Sequence, residues 1–463
     1  MVGPGDSLRA VRARATLLVG VVAALVVGGP SVAWAHGIGG RSDLPVPLEF
    51  FLVGGGVVIL LSFGLLAVLW PSPRLQDGPR YRGRGWAVPA WVSLALQVAA
   101  AAFLVLVIVA GLGGDPELRT NIAPVSVYVL FWLVLPFLAA VAGNIWSVLN
   151  PWAAIGRGLG LGRGPSGAGS LGVLPAAAFF ISFTWLELIY PAAGEPRALG
   201  VAAVAYTAVM LGSMAFQGVE RTIASTDAFS VYHRLISGIA PFGRGPDGRI
   251  HRRGWVRALP VLPQWPGLVV LVAAMIGTVS YDGLSSTPFW DDFSFGLVGR
   301  DQGSVWFGTL GLLGMVAVVA AGYMGASWWA ARATNGAVTA REVARSFAHT
   351  LVPIALAYAV AHYITLIAFE GQLLFAAISD PLGLGWNLFG TADYRANFTW
   401  LSPSAVWWMQ VMAIVGGHVL GVVLAHDRAL AVFEGDRAVR SQYAMLTLMV
   451  ALTMGGMSIL AVG

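Results

Sequence analysis

Ten apolar runs of bilayer-crossing type dominate this chain, near 49–70, 88–112, 124–143, 172–191, 198–217, 266–282, 305–330, 347–376, 404–426 and 442–461. A span needs about 20 predominantly apolar residues. In hydrocarbon each backbone N–H and C=O must find its partner within the segment, so such a run reads as a helix. The expected fold class is all-α, a polytopic transmembrane helical bundle of about ten spans with the lipid bilayer as its first partner. Composition removes the soluble alternative: charged residues are 11% of the chain and apolar ones 57%, against about 25% charged in a soluble domain. The sixth run is short. The eighth is long and holds Pro353, so it is expected to begin as an interfacial turn before entering the membrane.

The cationic residues are all arginine, 27 of them, and none form a block of five or six. That pattern does not describe a nucleic-acid partner. Cysteine is absent, which excludes disulfides, thiolate metal sites, iron–sulfur clusters and cysteine nucleophiles. Arg9, Arg12 and Arg14 precede an apolar stretch from Leu17 to Val27 and a small-residue site, Ala33-Trp34-Ala35, before His36. This is the layout of a cleaved secretory signal. The domain plan is thus a signal peptide at 1–35, a short extracytoplasmic N-terminus at 36–48 and a multi-pass membrane domain at 49–463.

With His36 outside, the segments expected inside carry 19 arginines and the outside ones carry Arg41, Arg119, Arg197, Arg300 and Arg395. This asymmetry follows the positive-inside rule and puts both the mature N-terminus and the C-terminus on the extracytoplasmic side. Two connections are longer than connectors need to be. Within 218–265, the stretch from Ala228 to Ile236 is expected as an amphipathic helix on the membrane surface, followed by a turn-rich break from Phe242 to Gly248. The outside connection 377–403 holds Asp380, Trp386, Asp393, Tyr394, Asn397 and Trp400, a composition suited to capping a cavity.

Four of the seven histidines, His349, His362, His418 and His426, lie in or at the ends of runs eight and nine. Ionisable groups inside spans are costly and face a protein interior or a cavity. If run eight exits near Ala376 and run nine enters near Ser404, His362 and His418 each lie 14 residues in, about 21 Å at 1.5 Å per residue. The expectation is that they face each other at mid-membrane, with Glu370 above them. Imidazole and carboxylate suit a divalent metal such as zinc or manganese, and the same residue types serve a proton relay. Metal ligands are therefore expected among His362, His418, His426 and His349, and catalytic carboxylates at Glu187, deep in run four, and Glu370. Ordinary helix-to-helix hydrogen bonding is the competing reading of the four histidines, and a place near the outer surface that of Glu187. No Walker loop, His-Glu-x-x-His pair or Gly-x-Ser-x-Gly elbow occurs, and the 59 glycines read as close-packing sites between helices.

Six segments carry a family likeness: Ala35-His36-Gly37-Ile38-Gly39-Gly40-Arg41-Ser42-Asp43-Leu44-Pro45-Val46-Pro47, Asn150-Pro151-Trp152, Trp185-Leu186-Glu187-Leu188, Asp282-Gly283-Leu284-Ser285, His418-Val419-Leu420-Gly421 and Ala425-His426-Asp427-Arg428. Together they resemble the fenitrothion hydrolase-like family of bacterial membrane proteins. The resemblance implies a multi-pass protein of a bacterial cell membrane that hydrolyses organophosphorus esters, with an apolar small-molecule substrate and a second membrane subunit as partners. On that expectation a metal held by His362 and His418 activates water. A transporter of metal ions or protons past the same histidines, or a non-catalytic subunit of a membrane complex, are the alternatives the residues leave open.

Overall fold

The computed structural model describes residues 47–162, 167, 169–298, 305–332 and 338–462. The expected signal peptide and nearly all of the segment 36–48 lie outside the described residues. The chain is an all-α polytopic bundle: among the described residues, nine helices are long and apolar enough to cross a membrane. In chain order the spans and the elements between them are α1 (Leu48–Leu69), β1 (Arg82–Trp86), α2 (Ala90–Gly113), α3 (Ile122–Ala142), α4 (Pro151–Gly158), α5 (Leu174–Leu188), α6 (Pro196–Gln217), α7 (Val219–Ser225), α8 (Ala228–Ser237), β2 (Phe242–Arg244), β3 (Ile250–Arg252), α9 (Leu268–Ser285), α10 (Pro288–Val298), α11 (Val305–Arg332), α12 (Ala340–Ala368), α13 (Pro403–Val432) and α14 (Gln442–Val462).

The fourth apolar run gives α5, a shorter apolar helix of 15 residues that is not among those nine, about 22 Å of rise. It still passes through the bundle in step with α9. Val173 N–H donates to the Pro266 carbonyl at 2.8 Å where both helices begin, and Trp185 Nε1 donates to Thr309 Oγ1 at 2.8 Å where α5 ends beside the start of α11. Two spans depart from a plain α-helix. The middle of α3, Val125–Val134, is a π-helix, a rare ladder that is frequent at functional sites. Span α12 starts at Ala340, capped by Thr339 and Glu342, tightens to a 3-10 turn at Ala348–Leu351 and resumes at Val352 with Pro353 in its first turn. Pro353 is tolerated there because a first-turn N–H has no intrahelical partner to lose.

Glycine sets the closest helix contacts. A methyl on Gly417 of α13 would overlap Ala357 of α12 and stand 2.8 Å from the Pro353 carbonyl oxygen; one on Gly111 of α2 would stand 2.8 Å from the Gly200 Cα of α6. Without a hydrophobic drive between spans in lipid, this close backbone approach supplies the packing attraction.

The arginine-rich segments gather at one end of the bundle. There the loop after α1 and the long loop before α9 pair as a three-stranded antiparallel sheet, in the order β1-β3-β2. The expected turn-rich break is the hairpin that joins β2 to β3. The helix expected at 228–236 forms as α8, but not on the membrane surface: Phe229, Val231, Tyr232, His233, Leu235 and Ile236 are all buried. The sequence pattern shows an apolar face and cannot distinguish lipid from a protein interior as what covers it.

Two buried aspartates bind this end together. Asp227, before α8, accepts from Asn150 Nδ2, Tyr206 OH, Phe229 N and Ser230 Oγ at 2.6–3.1 Å. Asp427, in α13, accepts from Trp70 Nε1, Arg74 N, Leu75 N and Gln76 Nε2. Its neighbours join in: His426 contacts Gln442 Oε1 and the Trp70 carbonyl, and Arg428 donates to Gln76 Oε1 and the Ser346 carbonyl. At the opposite end the 377–403 connection is tied to the mouth of α2 and α3, where Asp115 N and Ile122 N donate to the carbonyls of Leu382 and Pro381.

Candidate functional site

Near the end of the bundle opposite the arginines, α3, α5, α9 and α12 bring together the most concentrated chemistry of the membrane layer. Asp282 lies in the last turn of α9. Its Oδ2 accepts the Tyr363 hydroxyl at 2.7 Å and lies 2.8 Å from His362 Nε2. His362 and Tyr363 are consecutive residues of α12, so one helical turn delivers both donors to the same oxygen. The side chains of His362 and Asp282 are 23% and 19% exposed, shielded from bulk solvent but not sealed. Glu187, in the last turn of α5, lies in the neighbourhood of Asp282, Tyr363, Tyr128 and Tyr232, with the Trp132 indole of the π-helical segment beside it. Its Oε2 is screened from solvent and has no hydrogen-bond partner.

A cavity of about 10 Å³ adjoins His362, lined also by Ser280, Tyr358, Ile414, Gly456 and Ile459. That is the volume of one water. A larger cleft of about 250 Å³, lined by Val129, Leu130, Ile367, Gln372, Leu374 and Phe375, opens beside the π-helical segment. It is apolar and has no titratable residue in its lining.

The six residues singled out from the sequence separate here. Glu187 and His362 belong to one cluster. His418 does not join them: its Nδ1 is 2.9 Å from the Ile414 carbonyl of its own helix and its ring lies against Tyr358, with Nε2 buried and unpartnered. The matching depth fails because run eight is not one helix to Ala376. The chain leaves the α-helix after Ala368, makes a 3-10 turn at Glu370–Gln372 and a separate short helix at Leu373–Ala377. His362 is thus six residues below the end of α12, about 9 Å, while His418 is 15 residues into α13, about 22 Å. Glu370 sits in that 3-10 turn, outside the cluster. His426 is part of the network around Asp427, and buried His349 lies in the 3-10 turn within α12.

Among the described residues, no three or more His, Asp or Glu side chains are grouped so as to hold a metal ion. The donors do not form the expected divalent site: His426 has both ring nitrogens engaged, and His418, whose Nε2 is free, has no further ligands grouped around it. What the sequence reading missed was Asp282, noted only as part of a resemblance segment, and Tyr363. An acidic residue at the end of an apolar run is the signal that marks Asp282; Tyr363 offers none, since its partner is 81 residues away.

Comparison with known proteins returns nothing: no family model, no curated protein and no solved structure matches the chain. The likeness to the fenitrothion hydrolase-like family stands on the sequence segments alone.

Proposed function

We propose that this membrane protein is a transporter that takes up and releases protons at the Asp282–His362–Tyr363 cluster, with Glu187 as the neighbouring seat. The observation that carries the reading is the contrast within one cluster. Asp282 Oδ2 already shares two polar contacts, while Glu187 Oε2 stands unpartnered beside it. Carboxylates, an imidazole and a water-sized cavity are the components of a proton relay, and a proton can move among them without any large opening. The arginine asymmetry supports a cytoplasmic position for the arginine-rich end and so an extracytoplasmic mouth for the cluster; reporter fusions placing the 377–403 connection in the cytoplasm would reverse that orientation.

The test is proton flux into proteoliposomes that hold a trapped pH dye, under an imposed gradient. Asp282→Asn and His362→Gln are expected to lower the flux about a hundredfold or more, the scale for removing one general acid–base group, at normal reconstitution. Unchanged flux in both variants removes the reading.

The hydrolase implied by the resemblance is the second reading, and one geometric fact favours it. Asp282 beside His362 is also the arrangement that orients an imidazole to take a proton from water. Against it stands the size of the adjoining cavity, one water, where a small-molecule site spans roughly 300–1,000 Å³. Turnover of a lipophilic phosphotriester by the purified protein, abolished in His362→Gln, would move this reading ahead of the first.

A further inference from the structure

We propose that the sheet at the arginine-rich end is a binding site for the phosphate headgroup of an anionic membrane lipid, gripped between Arg82 of β1 and Arg252 of β3. These two arginines are direct cross-strand partners. Like charges placed opposite each other on an antiparallel pair destabilise it, so the arrangement calls for a counter-charge. Among the described residues none is supplied. Arg82, Arg84 and Arg252 are exposed, and among the described residues no carboxylate pairs with any of them. The nearby acids are spoken for: Asp77 pairs with Arg80 at 3.0 Å, and Asp247 is held at 3.0 Å by both His251 and the Arg249 N–H.

The rest of the sheet fits a headgroup rather than a soluble anion. Arg84 lies two residues beyond Arg82, within the irregularity that interrupts the β1–β3 register between Arg82 and Trp86, and adds a third exposed guanidinium to this edge of the sheet. Trp86 ends that strand, half exposed, with its ring 5.7 Å from Phe242. Only three residues separate it from Ala90, where α2 begins, and Trp91 in the first turn of α2 is 73% exposed. Paired tryptophans at the end of a span mark the level of the headgroups. The guanidiniums are thus tethered beside the lipid phosphates, and guanidinium binds phosphate through paired N–H donors.

The experiment uses the full-length protein in zwitterionic detergent, titrated separately with short-chain phosphatidylglycerol, short-chain phosphatidylcholine and inorganic phosphate. Binding is followed by native mass spectrometry and melting temperature. Phosphatidylglycerol is expected to bind and to raise the melting temperature, and phosphatidylcholine is not. The Arg82→Gln/Arg252→Gln double variant should bind it about 30-fold more weakly, taking each arginine near an anionic surface at about 1 kcal/mol. Without lipid the variant should melt no lower than the parent, because it loses a repulsion; a lower melting point would mark the arginines as structural and overturn the proposal. Inorganic phosphate binding as tightly as the lipid would assign the site to a free anion instead, and equal lipid binding by parent and variant would dismiss it.

Discussion

The two ends of the bundle treat buried acids in opposite ways. At the arginine-rich end Asp227 and Asp427 are each fully buried, and each accepts from four donors. At the other end Asp282 receives both its contacts on one oxygen, and Glu187 Oε2 receives none. A carboxylate whose lone pairs are all occupied by fixed donors holds chain segments together and has nothing left to exchange. One with free lone pairs costs stability, and the fold has kept it. The difference teaches that satisfaction, rather than residue type or depth, separates the acids that build this molecule from those that equip it.

The largest effect that this contrast predicts is at Asp427. Asp427→Ala should cost about 3–5 kcal/mol, the scale for breaking a buried charged network, read as a collapse of thermal stability in detergent. A loss under 1 kcal/mol would mean that the four donors find other partners and that the contrast is false. The second largest lies at His233, in the same arginine-rich end. Its Nδ1 is 2.8 Å from the Phe229 carbonyl, its ring stacks on Trp146 and its Nε2 is buried without a partner. Burial pushes it down to about 4 from the usual 6.5. The folded state therefore favours the neutral ring. The stability this confers is complete above pH 6.5 and is lost as pH falls through 4, amounting to about 3 kcal/mol at 1.36 kcal/mol per pH unit. His233→Gln should flatten that acid slope in melting experiments; an unchanged slope would transfer it to other groups.

Smaller effects belong to the opposite end. Asp282→Asn should cost only about 1 kcal/mol, since an amide oxygen still accepts the Tyr363 hydroxyl. Glu187→Gln should be smallest of all, within about 0.5 kcal/mol or stabilising, because no hydrogen bond to Oε2 is lost. Loss of several kcal/mol at Glu187, measured by chemical denaturation in detergent, would turn it into a structural acid and erase the comparison.

Much of the architecture was legible from apolar runs alone, because a backbone in lipid has few alternatives to the helix. All ten runs appear as helices, although the ladder of α3 and the break above His362 do not. Neither leaves a mark in hydropathy: Phe369 and Glu370 end α12 within a stretch that reads as continuous. Of the site, Glu187 and His362 were visible because an ionisable residue in a span stands out. Asp282 carried only the weaker mark of an acid at the edge of its run, a position that also reads as the start of a loop. The pairing of His362 with Asp282 rather than His418 rests on contacts across 80 residues, which no periodicity encodes. His426 was expected as a metal ligand, and it and its neighbours Asp427 and Arg428 are instead rivets of the arginine-rich end.

The π-helical stretch Val125–Val134 gives the molecule a store of rotation. Its ladder closes i to i+5 where an α-helix closes one residue sooner. Exchanging one ladder for the other therefore slips the helix by one position, about 100° around its axis. Tyr128 and Trp132, which lie along Glu187, and Val129 and Leu130, which line the apolar cleft, are all within the stretch that would turn. The wall of the acid cluster and the wall of the cleft are thus two faces of one π-helical stretch, and a slip of its ladder would turn both together.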